Sequence, residues 1–463
     1  MKHENTMQID RNCNLQIDLF NQFYIRRLSI SNPKFTFVDL FSGVGGFRIP
    51  LEQLGGKCLG YSEIDKQSIK VYNQNFSSYI TSEEVCLGDI NDLNYLGWDI
   101  DVMTGGVPCQ PWSIAGKLNG FRDPRGSLWF KVIQLVKTNK PKSFIFENVK
   151  GLTEPRNKES LNYIVTNLKS IGYVVKYTVL NSYDFGLPQD RDRVFIVGIR
   201  KDLKNCSSFE FPKSLNIFPK LCHFIDGIKY EDFTKKKFDI DVLFGGKLPC
   251  SRGRFQKTDE LNDFFLFSDI RDGHTTIHSW DIISTTNREK LICQTILRNR
   301  RKKLYGEKDG NPLMFDILKG LIEDLKEKEL LKLVDKLILK SVIGKGYEFV
   351  NSKISSGING ISKIFLPHSD VIATLTATGT RDYIATTSIP CEEPSYYKKT
   401  FIEQIYRKKK FKPLSAKDYA RLQGFPEWFV LPDNEAIAKK QFGNSVAIPV
   451  IECLARQVLK VIL

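Results

Sequence analysis

The run Gly105-Gly-Val-Pro-Cys-Gln-Pro-Trp-Ser113 places one cysteine, Cys109, between two prolines and just after two glycines. Each proline fixes its φ at about −65°, so Pro108 and Pro111 restrict the main chain on both sides of the thiol. A thiol held this way suits nucleophilic attack, because the thiolate is the reactive form and an intrinsically strong nucleophile. A second reactive group is Glu147, in Phe146-Glu-Asn-Val-Lys-Gly151. Burial would raise its pKa and fit it for general-acid work; an ion pair with a nearby base is the plainer role. Arg191 and Arg193 alternate with acids in Gln189-Asp-Arg-Asp-Arg193. On a surface that pattern makes ion pairs, but beside a crevice the same guanidinium groups can hold a base or a phosphate.

These residues need a scaffold. Short apolar runs predict strands at 35–41, 57–63, 84–89, 99–105, 143–148, 173–180 and 193–199. Helical patterns over 46–54 and 65–75 separate the first of them. Alternating strands and helices predict a mainly parallel α/β sheet covered on both faces. The two last strands follow one another closely and predict an antiparallel edge. In such a sheet ligands bind outside the carboxyl ends of the strands. Cys109 follows the fourth predicted strand and Glu147 ends the fifth, so both face that crevice.

The other end of the crevice reads as a cofactor site. Val38-Asp-Leu-Phe-Ser-Gly-Val-Gly-Gly-Phe47 is a strand followed by a turn containing Gly43, Gly45 and Gly46. Glycines permit a sharp turn and close approach of a ligand to the backbone. Glu63 ends the next strand about twenty residues on, the spacing at which an acid binds ribose hydroxyls. Asp89 ends the third strand and suits an adenine amino group. Capping of the following helices is the bland role for both acids. Together with the glycine turn they point to an adenosine-containing cofactor. On this ground alone NAD and S-adenosylmethionine stay unseparated, although the turn is not a full G-x-G-x-x-G.

Past Asp202 the βα rhythm stops. The region to about Lys410 is irregular and mixed in charge, with one amphipathic helical stretch over Met314–Leu339. Helical order returns at 412–426 and 442–462. The 463 residues carry a net charge of +15 and include the basic clusters Arg298–Lys303 and Arg407–Lys412, a balance that favours a polyanionic partner. Ten cysteines are scattered without a CxxC pair, which argues against a zinc site or a disulfide framework and predicts a reducing, cytoplasmic setting. The polar first residues do not read as a secretory signal, and no stretch reaches transmembrane length.

A thiolate, a carboxylic acid and an adenosine cofactor together have a chemical meaning. Carbon 5 of a pyrimidine is a poor nucleophile. Thiolate addition at C6, helped by protonation at N3, makes an enamine whose C5 can take an electrophilic methyl group.

The motifs FVDLFSGVGGFR, YSEID, GDI, GGVPCQPWS, DPRGSLWF, FENVKG, QDRDRVFIVG, RLQGFP and GNSV run in order from Phe37 to Val446. In this the sequence resembles the cytosine-C5 DNA methyltransferases, especially the bacterial enzymes of restriction–modification systems. The resemblance implies a Rossmann-like, S-adenosylmethionine-dependent methyltransferase sheet with an inserted irregular target-recognition domain. Its implied divisions are an N-terminal extension over 1–33, a catalytic domain over 34–203, a recognition domain over 204–410, and a segment over 411–463 that completes the catalytic domain. It also implies roles. Cys109 attacks C6, Glu147 contacts N3 and the exocyclic amine, and Arg193 holds the cytosine with Arg191 in support. Phe41, Val44, Gly46, Glu63, Ile64, Asp89, Ile90, Pro108, Leu128, Asn444 and Val446 surround the cofactor. Ser113 and Arg125 match a mobile loop that closes on DNA, and Thr374 and Leu375 match a DNA-contacting segment. Val107 departs from the family, which often has Phe there. The partner implied is double-stranded DNA, bound by a monomer that flips out its target base, with no metal and with a separately acting cognate endonuclease. The enzyme would sit in a bacterial cytoplasm, on the nucleoid while acting. An RNA-methylating relative usually carries a Cys-Phe-Thr segment, absent here. A non-catalytic homologue would not need Cys109, Glu147 and both arginines.

Overall fold

The computed structural model describes residues 32–77, 84–108, 126–217, 219–231, 263–308, 310–353, 357–390 and 394–463. The chain forms two compact units. One comprises residues up to Ile225 with Asp370–Gly379 and Ser415–Leu463; the other comprises Asp226–Ser369 and Thr380–Leu414.

The first unit is built on strands β1 (Phe35–Leu40), β2 (Gly56–Ser62), β3 (Val85–Cys86), β4 (Val102–Gly106), β5 (Ser143–Val149), β6 (Tyr173–Asn181) and β8 (Asp192–Arg200). Their order across the sheet is β3-β2-β1-β4-β5-β8-β6. The first five pair in parallel, and β8 runs antiparallel to both β5 and β6. The predicted antiparallel pair therefore exists, with β8 inserted beside β5 so that β6 is the outer strand on that side.

Side chains alternate between the two faces of a strand, and each face here has its own helical cover. Val38, Leu40, Phe144, Phe146, Val194 and Ile196 pack on one face with Trp129, Val132 and Leu135 of helix α3 (Leu128–Asn139) and with Leu161, Ile164 and Leu168 of helix α4 (Lys158–Ser170). Their neighbours in sequence, Phe37, Ile145, Phe195 and Val197, pack on the other face. There they meet Leu51 of helix α1 (Arg48–Gln53) and Val450, Ile451, Leu454 and Val458 of the last helix, Ile448–Ile462. Burial on both faces explains why these strands read as continuous apolar runs. Helix α2 (Lys66–Phe76) follows β2, its first turn capped by Asp65, which accepts from the Ser68 amide at 2.8 Å.

Two predicted elements are shorter or divided. The third strand covers only Val85–Cys86. The Leu87 amide still reaches the Tyr61 carbonyl at 2.8 Å, but Gly88 then turns the chain at φ +67° into a short 3-10 turn. The amphipathic stretch 314–339 is two helices, Phe315–Leu321 and Glu327–Leu339. Ile322 leaves helical geometry at φ −124°, ψ 75°. Leu318, Ile322, Leu325, Leu330, Val334 and Leu337 nevertheless share one core. Apolar residues stand three or four apart from Leu318 through Ile322 to Leu325, so periodicity does not mark the point where the helix ends; the charged run Lys326–Glu329 follows it.

The second unit holds more regular structure than its sequence rhythm suggests. Its five-stranded sheet has the order β10-β9-β11-β13-β14, from strands of two to four residues: Thr276–Ile277, Phe264–Phe267, Lys363–Phe365, Asp382–Ala385 and Phe411–Pro413. Strands that short carry too few alternations to register as a pattern.

Candidate active site

The predicted site residues of the first unit gather where the parallel strands end. Phe41, directly after β1, adopts the left-handed region at φ 55°, and Gly43 and Gly45 follow at φ 55° and 90°. That geometry is costly for a side-chain-bearing residue, and glycine removes the cost at two of the three positions. Gly45 also lacks room: a Cβ there would stand 2.4 Å from the Phe76 ring. At Gly46 a Cβ would stand 2.6 Å from Ser445 Oγ and 2.9 Å from Val446 Cγ2, so the turn rests on the segment that carries Asn444 and Val446.

Glu63, just past β2, joins two strand ends. Its Oε2 accepts from the Gly43 amide at 2.9 Å, and its Oε1 accepts from the Ile64 and Asp65 amides at 2.8 Å each. Asp89 follows β3, and its Oδ1 accepts from the Asn91 amide at 2.9 Å. The capping role is therefore real for Asp89; for Glu63 the carboxylate ties the glycine turn to the next strand. Ile64 is exposed, Asn444 is exposed, Val44, Ile90 and Val446 are buried, and Phe41 and Leu128 are half-buried against the core.

At the end of β4, Gly106 stands opposite Glu147 of β5. Pro108 follows two residues on, and the buried Asn148 side chain donates to the Val107 carbonyl at 3.1 Å, fixing the approach to it. Asn148 escaped notice in the sequence because an asparagine in a strand carries no pattern of its own; its place next to Glu147 was the available signal. Cys109, Ser113 and Arg125 lie outside the described residues.

Glu147 pairs with Arg193, Nε to Oε1 at 2.8 Å. Burial pushes the Glu147 carboxyl above the usual carboxylate range, and the Arg193 and Arg191 charges and the Arg193 hydrogen bond pull it back only in part. Arg193 keeps some exposure in its side chain (16%), whereas Arg191 is buried (2%). Arg191 Nη1 donates to the Leu375 carbonyl at 2.9 Å, and Nη2 donates to the carbonyls of Gly443 at 3.1 Å and Ser445 at 2.7 Å.

Thr374 and Leu375 belong to the same unit. Strand β12 (Ile372–Ala373) pairs in parallel with strand β7 (Gln189–Asp190). Thr374 Oγ1 donates to the Asp190 carbonyl, and the Leu375 amide donates to Gln189 Oε1 at 3.0 Å. Leu375 is buried. Gln189, fully buried, also donates from Nε2 to the Leu422 carbonyl at 2.9 Å. Sequence reasoning passed over Gln189, although it opens the Gln-Asp-Arg-Asp-Arg motif.

Beneath the glycine turn, Asp39 of β1 is fully buried. Its Oδ1 accepts from Thr104 Oγ1 at 2.9 Å, while Oδ2 has no hydrogen-bond partner among the described residues. Burial raises its pKa to about 7 against the opposing effects of the Thr104 hydrogen bond and the Arg48 charge. No group of three or more metal-ligating side chains occurs among the described residues, and no described helix is long and apolar enough to cross a membrane.

An open, Rossmann-like sheet with a glycine turn after its first strand and a carboxylate–guanidinium pair between its fifth strand and β8 has the framework of a methyltransferase. A family model for C-5 cytosine-specific DNA methylases matches residues 35–460. The type II methyltransferase M.HgiBI of Herpetosiphon aurantiacus is 46% identical over 424 residues, covering 91% of this chain and 96% of that one. The type II methyltransferase M.BanI of Aneurinibacillus aneurinilyticus is 31% identical over 444 residues, covering 90% and 94%. The chain belongs to the C-5 cytosine-specific DNA methylase family, and it is a DNA cytosine-C5 methyltransferase.

Proposed function

We propose that this enzyme methylates carbon 5 of one cytosine within a specific duplex DNA sequence, with S-adenosylmethionine as donor, and so protects host DNA from a separately acting endonuclease. One observation supports it most: buried Glu147, its pKa raised, is held by Arg193 beside the strand end that runs through Pro108 into Cys109.

The residues present fit the donor. The left-handed glycine turn keeps Gly43 free of any atom within 4 Å of a would-be Cβ, which leaves space at the strand end. Phe41, Val44, Gly46, Glu63, Ile64, Asp89, Ile90, Pro108, Leu128, Asn444 and Val446 would hold it, Glu63 at the ribose hydroxyls and Asp89 near the adenine. When bound, S-adenosylmethionine supplies an electrophilic methyl group. The chain's own residues prepare the base. The target must leave the helical stack, since C5 cannot be reached inside it. Cys109 thiolate forms a bond to C6, Glu147 gives its proton to N3, and the electron pair of the C5–C6 double bond moves into the enamine. Arg193 fixes the ring and the Glu147 carboxyl together. Once C5 carries its methyl group, the N3 proton returns to Glu147 and the C5 proton passes to a solvent base. The C–H electron pair left behind re-forms the C5–C6 double bond while the Cys109 thiolate leaves with the C6–S pair. Ser113 and Arg125 would close over the DNA. Residues 204–410 would read the sequence, although Thr374 and Leu375 within that range lie in the first unit; the basic clusters would bind phosphate, and base edges would carry the specificity. We place the enzyme in the bacterial cytoplasm, as a monomer.

Bisulfite sequencing of plasmid DNA from cells expressing the enzyme should show full methylation of one cytosine in one short sequence. A duplex with 5-fluorocytosine at that position should trap a covalent complex with the wild type, because fluorine cannot leave C5 as a proton does. Cys109→Ser should form none. Persistent turnover by Cys109→Ser would overturn the mechanism, and methylation of tRNA in preference to DNA would overturn the substrate.

A further inference from the structure

Arg191 is a buried cation with an unusual set of partners. Its guanidinium donates to the main-chain carbonyls of Leu375, Gly443 and Ser445, which lie 184, 252 and 254 residues away in the chain. These belong to two segments with different proposed tasks. Thr374–Leu375 is assigned to DNA and Asn444–Val446 to the methyl donor. Arg191 itself stands two residues before Arg193, which holds Glu147.

The surrounding packing makes this joint stiff. The DNA-side segment is tied to the two residues just before the arginine by the Ile372–Gln189 and Ala373–Asp190 pairing and by the Leu375 amide on Gln189 Oε1 at 3.0 Å. The two distant segments also touch: a Cβ on Gly443 would fall 2.4 Å from the Thr376 carbonyl oxygen. On the donor side Ser445 and Val446 back onto Gly46 of the glycine turn, at 2.6 and 2.9 Å from its would-be Cβ. Displacing either segment therefore strains the same guanidinium. A planar fork can hold several carbonyls at once; a lysine ammonium has the charge without that fork.

We infer that Arg191 is a positioning residue that couples the DNA and donor sites: it never touches the base, and occupancy at 374–375 strengthens binding at 444–446 through the shared guanidinium. This rests on the proposed reaction above. By linkage the effect is reciprocal, so each ligand must tighten the other by the same factor.

The test uses the full-length enzyme, S-adenosylhomocysteine as the donor-site probe, and a duplex carrying the sequence that bisulfite mapping identifies. The dissociation constant of S-adenosylhomocysteine is measured with and without saturating duplex, and that of the duplex with and without S-adenosylhomocysteine. The wild type should show the same tightening in both directions, about fivefold or more. Arg191→Lys should bring the factor below about twofold while thermal melting remains cooperative. Should Arg191→Lys fail to fold, Gln189→Met decides, since it removes the Leu375 tie, together with the one to the Leu422 carbonyl, and leaves the arginine; it should lower the factor too. A merely structural role would weaken each ligand alone and leave the ratio unchanged. Coupling below twofold in the wild type, or undiminished in a folded variant, overturns the inference while wild-type methylation of the duplex stands. Absence of wild-type methylation refutes the reaction and this inference with it.

Discussion

Replacing Asp39 by asparagine should change how stability varies with pH by a calculable amount. Asp39 is fully buried, and its pKa rises from 3.8 to about 7. The charged groups that act on it are Arg48 of α1, which favours the ionised form, and Glu63 beyond β2, which opposes it. Burial dominates. The folded pKa lies above the unfolded one, so the folded state holds a proton that the unfolded state has released. The resulting stabilisation exists in full at pH values where both states are protonated and is lost progressively from about pH 4 to pH 7. Integrating the linkage relation between pH 5 and pH 8 with these two values gives a loss of roughly 2.5 kcal/mol from this residue. Asparagine keeps the acceptor for the Thr104 hydroxyl, which stands 2.9 Å away, and does not titrate. Asp39→Asn should therefore gain about 2.5 kcal/mol on the wild type between those pH values, whatever fixed offset its amide introduces. Urea midpoints at matched pH measure both proteins, and every other titrating group cancels in the difference. A difference that stays constant within about 0.5 kcal/mol would refute the reasoning. It would mean that Asp39 is ionised throughout, with a partner at its second oxygen.

Glu147→Gln should retain hydrogen bonding to the cytosine ring but cannot deliver a proton, so kcat should fall by about 10²- to 10⁴-fold, with donor affinity preserved. Single-turnover methylation checks this, and a fall of less than about tenfold would remove Glu147 from the acid role. Gly45→Ala combines an unfavourable φ of 90° with a Cβ 2.4 Å from the Phe76 ring. It should cost about 2–4 kcal/mol in urea unfolding and weaken S-adenosylhomocysteine binding.

The candidate reactive groups stand out in the sequence because each sits in a local context with its own physical signature. Prolines flank Cys109, glycines follow β1, and Glu63 and Glu147 end apolar runs. The parallel sheet was legible for the same reason, since strands buried on both faces must be apolar throughout. The short strands of the second unit and the kink at Ile322 were not, because the strands have too few residues to alternate and three- and four-residue apolar spacing runs from Leu318 through Ile322 to Leu325.

What the residues along the chain determined is the list of chemical parts and their order. What only the tertiary structure decided is which parts touch. Arg191 and Arg193 look alike in Gln-Asp-Arg-Asp-Arg, yet one is buried on three carbonyls from distant segments and the other holds Glu147. The alternating charges do not separate them, although Arg193 lies in β8 and Arg191 stands one residue before that strand begins. The difference comes from the partners, and carbonyls at 375, 443 and 445 leave no mark in a sequence, because every residue has one.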